Sequence, residues 1–333
     1  MAATPFGTGA AEAVKRWSGV LVVELPRHIY WAKLMKENTP ETVIEVKRDL
    51  QKNPGDRIRF TLLRKLAGSG VSGDTQMEGA EEALVYYSDD VTIDQRRNAV
   101  RLAGRMTERR VAFNLRMDAK NTLRTWMAET IDDDIFSGFA LSPAASRTLY
   151  AAGRTSVATL TAADTMGVAL IDRLQGIAKK ATPKLWPTRV DGMDLFVLLM
   201  HTDVSYDLRQ TFSTTATGWA SIQQYAGVRD KANPIFLGSL GFWGGQCVLH
   251  EHEKVPIATD GGAGGDVPWA SNMFLGRQAG CFAWGAQAEA WEKEFDYGAR
   301  HGFCVGAVWG FKKSVFNAVD HGYTELRTAR TNL

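Results

Sequence analysis

Residues 57–137 contain two elements that cannot both bury themselves. Arg57-Ile58-Arg59-Phe60-Thr61-Leu62 alternates basic or polar with apolar residues, the period of a strand with one solvated face. Gly68-Ser69-Gly70-Val71-Ser72-Gly73-Asp74 has turn and loop chemistry, and a β-rich stretch returns from Ala83 through Ile93. A two-stranded ribbon of this kind is at best marginally stable alone, so it has to lie on something else, and the first candidate is another copy of the same chain. Soon afterwards 105–137 runs without glycine or proline. Its apolar stripe passes through Val111, Leu115, Ala119, Leu123, Trp126, Met127, Thr130, Ile131 and Ile135 at spacings of three and four. That predicts a helix roughly 50 Å long at 1.5 Å per residue, closed by Gly138 as a C-cap.

The remainder of the 333 residues is long enough to bury a substantial core. Residues 1–140 hold 21 basic and 20 acidic side chains and 141–333 hold 18 and 17, so neither part coats nucleic acid by net charge. Seven of the ten tryptophans follow residue 140, which marks the rear as the more conventional globule. Cys247, Cys281 and Cys304 are widely spaced in apolar contexts and read as buried reduced thiols in a reducing cytosol, with neither a zinc motif nor a disulfide framework. No signal peptide is visible at the N-terminus. The longest apolar run, Leu195 to Met200, is strand-sized, so no membrane is expected as a partner.

Short helices are expected around 10–25 and 29–37, with a strand at Val43-Ile44-Glu45-Val46. Thr161-Ala162-Ala163-Asp164 has capping-box spacing ahead of a helix through Ile177. Asp194 to Met200 reads as a strand buried on both faces, followed by a helix through Phe212. Residues 235–253 are a glycine-punctuated strand region and 259–266 a glycine loop. Phe303, Val305, Ala307, Trp309 and Phe311 alternate with smaller residues in a clear strand.

Several patterns invite a chemical reading. Gly68 to Gly73 matches G-x-G-x-x-G, but the arm before it carries Arg57, Arg59, Arg64 and Lys65 and no helix follows, so it reads as a loop tip and not a dinucleotide site. The glycines of 261–265 lack the Gly-Lys-Ser/Thr of a phosphate loop. His250-Glu251-His252 is the sharpest candidate: strand alternation aims both imidazoles at one face, as two metal ligands require, with His201, His301 or Asp203 as an imagined third. The competing reading is two polar residues on a wet strand face. Asp132-Asp133-Asp134 sits where the helix dipole disfavours acid, which hints at partners for these charges against a solvated acidic turn. No nucleophile, base and oxyanion site assembles, so no catalytic residue, cofactor or metal is assigned.

The stretches from Gly73 to Leu84 and from Asp90 to Leu102, with Phe6-Gly7-Thr8-Gly9 and Gly55-Asp56-Arg57, resemble the major capsid proteins of tailed double-stranded DNA bacteriophages, most closely the short-tailed branch. The resemblance implies an α+β capsid fold shared with encapsulins. Its parts would be an N-terminal arm (1–40), an extended β-ribbon (41–95), a peripheral domain (96–160) with a spine helix over 105–138, an axial domain (161–274) and C-terminal strands shared between the two (275–333). It implies a structural, non-enzymatic protein of the virion. Hexamers and pentamers would assemble in the host cytoplasm, with scaffolding, portal and decoration proteins as partners and double-stranded DNA enclosed without sequence-specific binding. An encapsulin-like nanocompartment is the alternative, and a metalloenzyme using His250 and His252 a remote one. Arg57, Arg59, Arg64, Lys65, Glu78, Glu81, Glu82, Asp89 and Asp90 are the candidate contacts between subunits. Exposed pairs of this kind contribute about 0–1 kcal/mol each, so a shell must rely on their repetition.

Overall fold

The spine of the molecule is a helix laid across a sheet. A computed structural model describes residues 29–332 except 38, 40, 52–53, 67, 75, 111–114, 191, 211–234 and 236–237. The expected helix at 10–25 and most of the arm lie outside the described residues. Helix α1 spans Arg105–Arg110 and α2 spans Leu115–Ala140. The expected stripe buries Ala119, Leu123, Met127, Ile131 and Ile135, joined by Phe136 and Phe139. Gly138 is not the cap: the helix runs on to Ala140, and the chain leaves it at Ser142 with φ 45°. A Cβ on Gly138 would sit 2.4 Å from the Phe311 ring, so this glycine is there to let the sheet approach.

That sheet has five strands in the order β1 (Met35–Glu37), β2 (Ile44–Lys47), β13 (Gly280–Phe295), β14 (Arg300–Lys313) and β5 (Asp94–Arg101). Before β1, Tyr30–Leu34 forms a 3-10 turn where a longer helix was expected. Among the described residues, strands β3 (Arg57–Leu63) and β4 (Tyr86–Thr92) pair only with each other, with Arg57 opposite Thr92 and Leu63 opposite Tyr86. The extended ribbon is therefore 57–92, whereas Ile44–Lys47 pairs parallel with β13 inside the five-stranded sheet.

The second sheet runs β6 (Thr148–Tyr150), β17 (Tyr323–Ala329), β12 (Val267–Leu275), β8 (Met193–Met200), β10 (Cys247–Glu251) and β9 (Ser239–Trp243). Strands β7 (Thr188–Val190) and β11 (Ile257–Gly261) are added on β8 and β12, so part of the expected glycine loop is strand. The small hairpin β15–β16 (Val315–Phe316, Val319–Asp320) precedes β17. From Leu195 to Met200 strand β8 is buried on both faces, as its apolar run predicts, while Met193 and Asp194 are exposed. Leu195, Val197 and Leu199 join the core beneath the spine helix. Phe196, Leu198 and Met200 enter a second core covered by α3 (Val168–Lys180) and α4 (Thr202–Gln210). Each such side chain contributes about 1.5–3 kcal/mol relative to exposure, which welds both sheets into one body. Helix α3 begins at Val168 after Gly167, so the Thr161–Asp164 spacing caps nothing helical. Asp164 Oδ2 instead accepts the Thr161 N–H at 2.8 Å and Arg154 Nε at 2.9 Å, closing a turn.

Candidate assembly surface

The ribbon is rooted in a small core of its own. Ile58 and Val91 pack on Cys281 and Ala283, with Phe60 and Ile93 at the margin, and Phe60 meets Phe316 edge-on at 5.6 Å. Beyond that root the apolar residues are wet: Leu66, Met77 and Leu84 are more than half exposed. Arg59 lies directly opposite Asp90 and forms a two-pronged bond to it, Nε to Oδ1 at 2.8 Å and Nη2 to Oδ2 at 3.0 Å. The Arg59 guanidinium holds the Asp90 carboxyl below its ordinary range. Asp89 pairs with Lys312 and accepts the Val315 N–H at 3.2 Å. Arg59 and Asp90 therefore tie the ribbon's two strands together, and Asp89 ties the ribbon to β14 and the segment after it.

The rest stay at the surface. Arg57, Arg64 and Lys65 are exposed near the ribbon's first limb. Glu82 accepts the Gly68 N–H at 2.6 Å, Glu81 accepts the Gly79 N–H at 2.7 Å, and Glu78 accepts Gln76 Nε2 at 2.9 Å, so the acids shape the tip while remaining exposed.

The three aspartates of the spine helix each find a partner, because consecutive helical residues diverge by about 100°. Asp132 is buried and accepts the backbone N–H groups of Tyr30 (2.9 Å) and Trp31 (3.4 Å), closing the first turn of 30–34 from a distance. Burial pushes its carboxyl up to about 6. Asp133 pairs with Lys254 at 2.7 Å, and Asp134 accepts Trp309 Nε1 at 3.1 Å with Arg96 at 3.4 Å. The solvated acidic turn is thus corrected to three anchors. Asp132→Ala is expected to cost about 1–3 kcal/mol, since it orphans two inward N–H groups. A fall in the urea midpoint, with faster hydrogen exchange at Tyr30 and Trp31, checks this.

The histidine pair is likewise absorbed by structure. His250 is fully buried on β10, not on a wet face. Its Nδ1 lies 3.2 Å from Lys33 Nζ and its Nε2 2.8 Å from the Ile235 carbonyl, so both ring nitrogens are engaged by protein. His252 stacks on Phe136 at 4.8 Å and meets the Tyr30 ring at a tilt, 4.3 Å between centres. Of the imagined third ligands, Asp203 is held by Arg330, and His301 is buried on β14. Among the described residues no three His, Cys, Asp or Glu side chains gather as a metal site. The imidazoles fasten the 29–34 segment to the spine helix and β10, and the metalloenzyme reading fails on that geometry.

What this surface presents is reach, not a reaction cleft: a rooted ribbon projecting from a two-sheet body, typical of a structural subunit that completes itself on neighbours. The comparisons with known proteins agree. A model of the phage capsid protein family matches residues 5–330, and the chain belongs to that family. The capsid structure of Ralstonia phage GP4 superposes with a TM-score of 0.84 at 30% identity, covering 99% of each chain. The cyanophage Pam1 capsid shares the fold at a TM-score of 0.76 and 22% identity, over 92% of this chain and 93% of that one. The major capsid protein of Pseudomonas phage KPP25 is 28% identical over 336 residues, 86% of this chain and 84% of its own. The resemblance read from 73–102 is therefore correct: this is a major capsid protein, a structural component of the phage shell and not an enzyme.

Proposed function

We propose that the chain assembles as hexamers and pentamers into a closed icosahedral head enclosing double-stranded DNA. The carrying observation is the ribbon of 57–92, which leaves the core and exposes its apolar and charged tip. In this reading 1–40 is an arm, 41–95 leads into and out of the ribbon, and 96–160 is peripheral. Residues 161–274 lie toward the capsomer axis, and the strands of 275–333 join the two. Arg57, Arg64, Lys65, Glu78, Glu81 and Glu82 would contact neighbouring copies, each exposed pair contributing about 0–1 kcal/mol. Assembly would take place in the host cytoplasm with scaffolding, portal and decoration proteins, and the DNA would be held without base-specific contacts. Electron microscopy of the purified chain tests this. Closed shells of uniform diameter, or rings of five and six, are expected. A chain that stays monomeric across the accessible concentration range would sink the proposal.

A further inference from the structure

Three arginines from separate elements meet at one edge of the second sheet, far along the chain from the ribbon. Strand β6 ends that sheet and pairs parallel with β17, which sets Arg327 opposite Tyr150. Directly after β6, the turn of Ala151–Gly153 holds two residues in the left-handed region, Ala152 at φ 50° and Gly153 at φ 75°, and Arg154 follows. Helix α3 lies beside that turn, for a Cβ on Gly153 would come 3.9 Å from Arg173 Nη1. Arg154, Arg173 and Arg327 thereby line one cavity of about 420 Å³, with Pro143, Tyr150 and Thr155 among its walls. That volume lies in the range of small-molecule sites.

Two of the guanidiniums are clamped by buried carboxylates that do not line the cavity. Arg154 Nε donates to Asp164 Oδ2 at 2.9 Å. Arg327 donates to Glu325 twice, through Nε at 2.9 Å and Nη2 at 3.3 Å, and Ser271 Oγ holds Glu325 in turn. The rings of Tyr150 and Trp269 flank the Arg327 guanidinium, 5.8 Å and 5.0 Å from their centres. An arginine carries five N–H donors, so these bonds orient each head without exhausting it. Arg173 is exposed on α3, and among the described residues no carboxylate forms an ion pair with it. Among the described residues no acid lines the cavity either. What it presents is one sign of charge, positioned before any ligand arrives.

We infer that this cavity binds a terminal phosphate group, either as inorganic phosphate or as the phosphomonoester of a nucleotide-sized molecule. Such a group brings a charge of about −1.5 to −2 and three strong acceptor oxygens. Guanidinium forks match those oxygens in pairs, and three forks from three elements suit three oxygens. A phosphodiester inside a duplex exposes two such oxygens and a single charge, a poorer match to the same arginines. Tyr150 and Pro143 offer apolar surface to whatever carries the phosphate. The inference does not rest on the shell reading. Because the site joins β6, the turn after it, α3 and β17, an occupied site stabilises the folded subunit by mass action.

Calorimetric titration of the full chain with inorganic phosphate, at constant ionic strength, tests it. One saturable site per chain is expected. Arg173→Gln is expected to weaken binding about tenfold, the loss of one charged hydrogen bond. Lys179→Gln removes the same charge from the same helix outside the cavity, and should change the affinity by less than about twofold. Adenosine monophosphate separates the two sources: tighter binding that depends on Arg173 identifies a nucleotide, and equal or weaker binding identifies free phosphate. Absence of saturable binding, or equal weakening by both variants, overturns the site. So does displacement of phosphate by a duplex without terminal phosphates at equal phosphorus, which would assign the arginines to a nucleic-acid backbone. Hydrogen exchange of the parent chain needs no variant. Phosphate, against chloride at matched ionic strength, should slow the amides of 148–155 and 170–174, and no slowing, or slowing spread over the whole chain, overturns the proposal.

Discussion

Gly310→Ala is expected to destabilise the chain by about 3 kcal/mol or more and to abolish closed shells. Gly310 lies on β14 where the base of the ribbon crosses, and a Cβ there would stand 2.1 Å from the Thr92 carbonyl oxygen and 3.1 Å from Ile93 Cα. Both neighbours are backbone, so neither can swing aside. The strand must separate from the ribbon base, at the upper end of overpacking costs. Val91 and Ile93 would be drawn out of the small core with Cys281 and Ala283, so the ribbon would lose its direction as well as its root. Thermal unfolding should show a midpoint lowered by about 4 °C or more, and electron microscopy should show no closed shells. Gly176→Ala is the contrasting control: its Cβ would meet nothing within 4 Å in α3, and it should stabilise by up to about 1 kcal/mol. An unchanged midpoint for Gly310→Ala would show that the crossing is looser than this geometry requires.

Acid is expected to weaken the subunit progressively as pH falls below about 6.5. Burial, with the charge of Lys33 second, pushes His250 down to about 3. Burial, with Arg147 and Arg277 behind it, pushes His321 down to about 4. A histidine depressed in the folded chain gives stability that is complete above its unfolded value near 6.5 and is lost as pH falls toward the folded value. Each group then removes about 1.4 kcal/mol per unit. Asp132 acts in the opposite sense. Its raised value of about 6 means that its contribution is complete below about 3.8 and is lost as pH rises through 6. Burial also lowers His201 and His252, so the histidines together outweigh the one aspartate and the net trend is loss of stability toward acid. Urea midpoints of the parent at pH 7.5, 6 and 5 should fall in that order. Asp132→Asn removes the opposing group and should steepen the decline, and a pH-independent midpoint would show that the imidazoles are not held neutral.

Where burial follows a simple period, the elements were legible from residues. The apolar run of β8, the alternation of β14 and the stripe of the spine helix each correspond to a buried face. Strand β5 was not legible. All but one of its residues are exposed, and it is held by backbone pairing to β14, so it carries no hydrophobic alternation to read. Gly138 and Asp132 were misread for a related reason. A glycine near a helix end suggests a cap, and an acid there suggests a solvated turn, unless a partner arrives from elsewhere. Here Phe311, 173 positions further on (311 minus 138), and Tyr30, 102 positions back, are those partners. His250 and His252 show the same limit. Alternation correctly placed both on one face, and only packing revealed that Lys33, Ile235, Tyr30 and Phe136 already occupy it.

By itself the sequence determined that a charged ribbon would leave the core and that a long amphipathic helix would follow. Both are local consequences of period, turn chemistry and the lack of apolar surface in 57–94. It also carried the family signature in 73–102. Only the tertiary structure decided which charges were already spent. It closed Arg59 on Asp90, Asp89 on Lys312 and the three helix aspartates on partners within the chain. A charge in a sequence is only a potential contact. Whether it faces its own chain or a neighbour depends on the direction of the backbone, which sheet pairing between residues hundreds of positions apart sets.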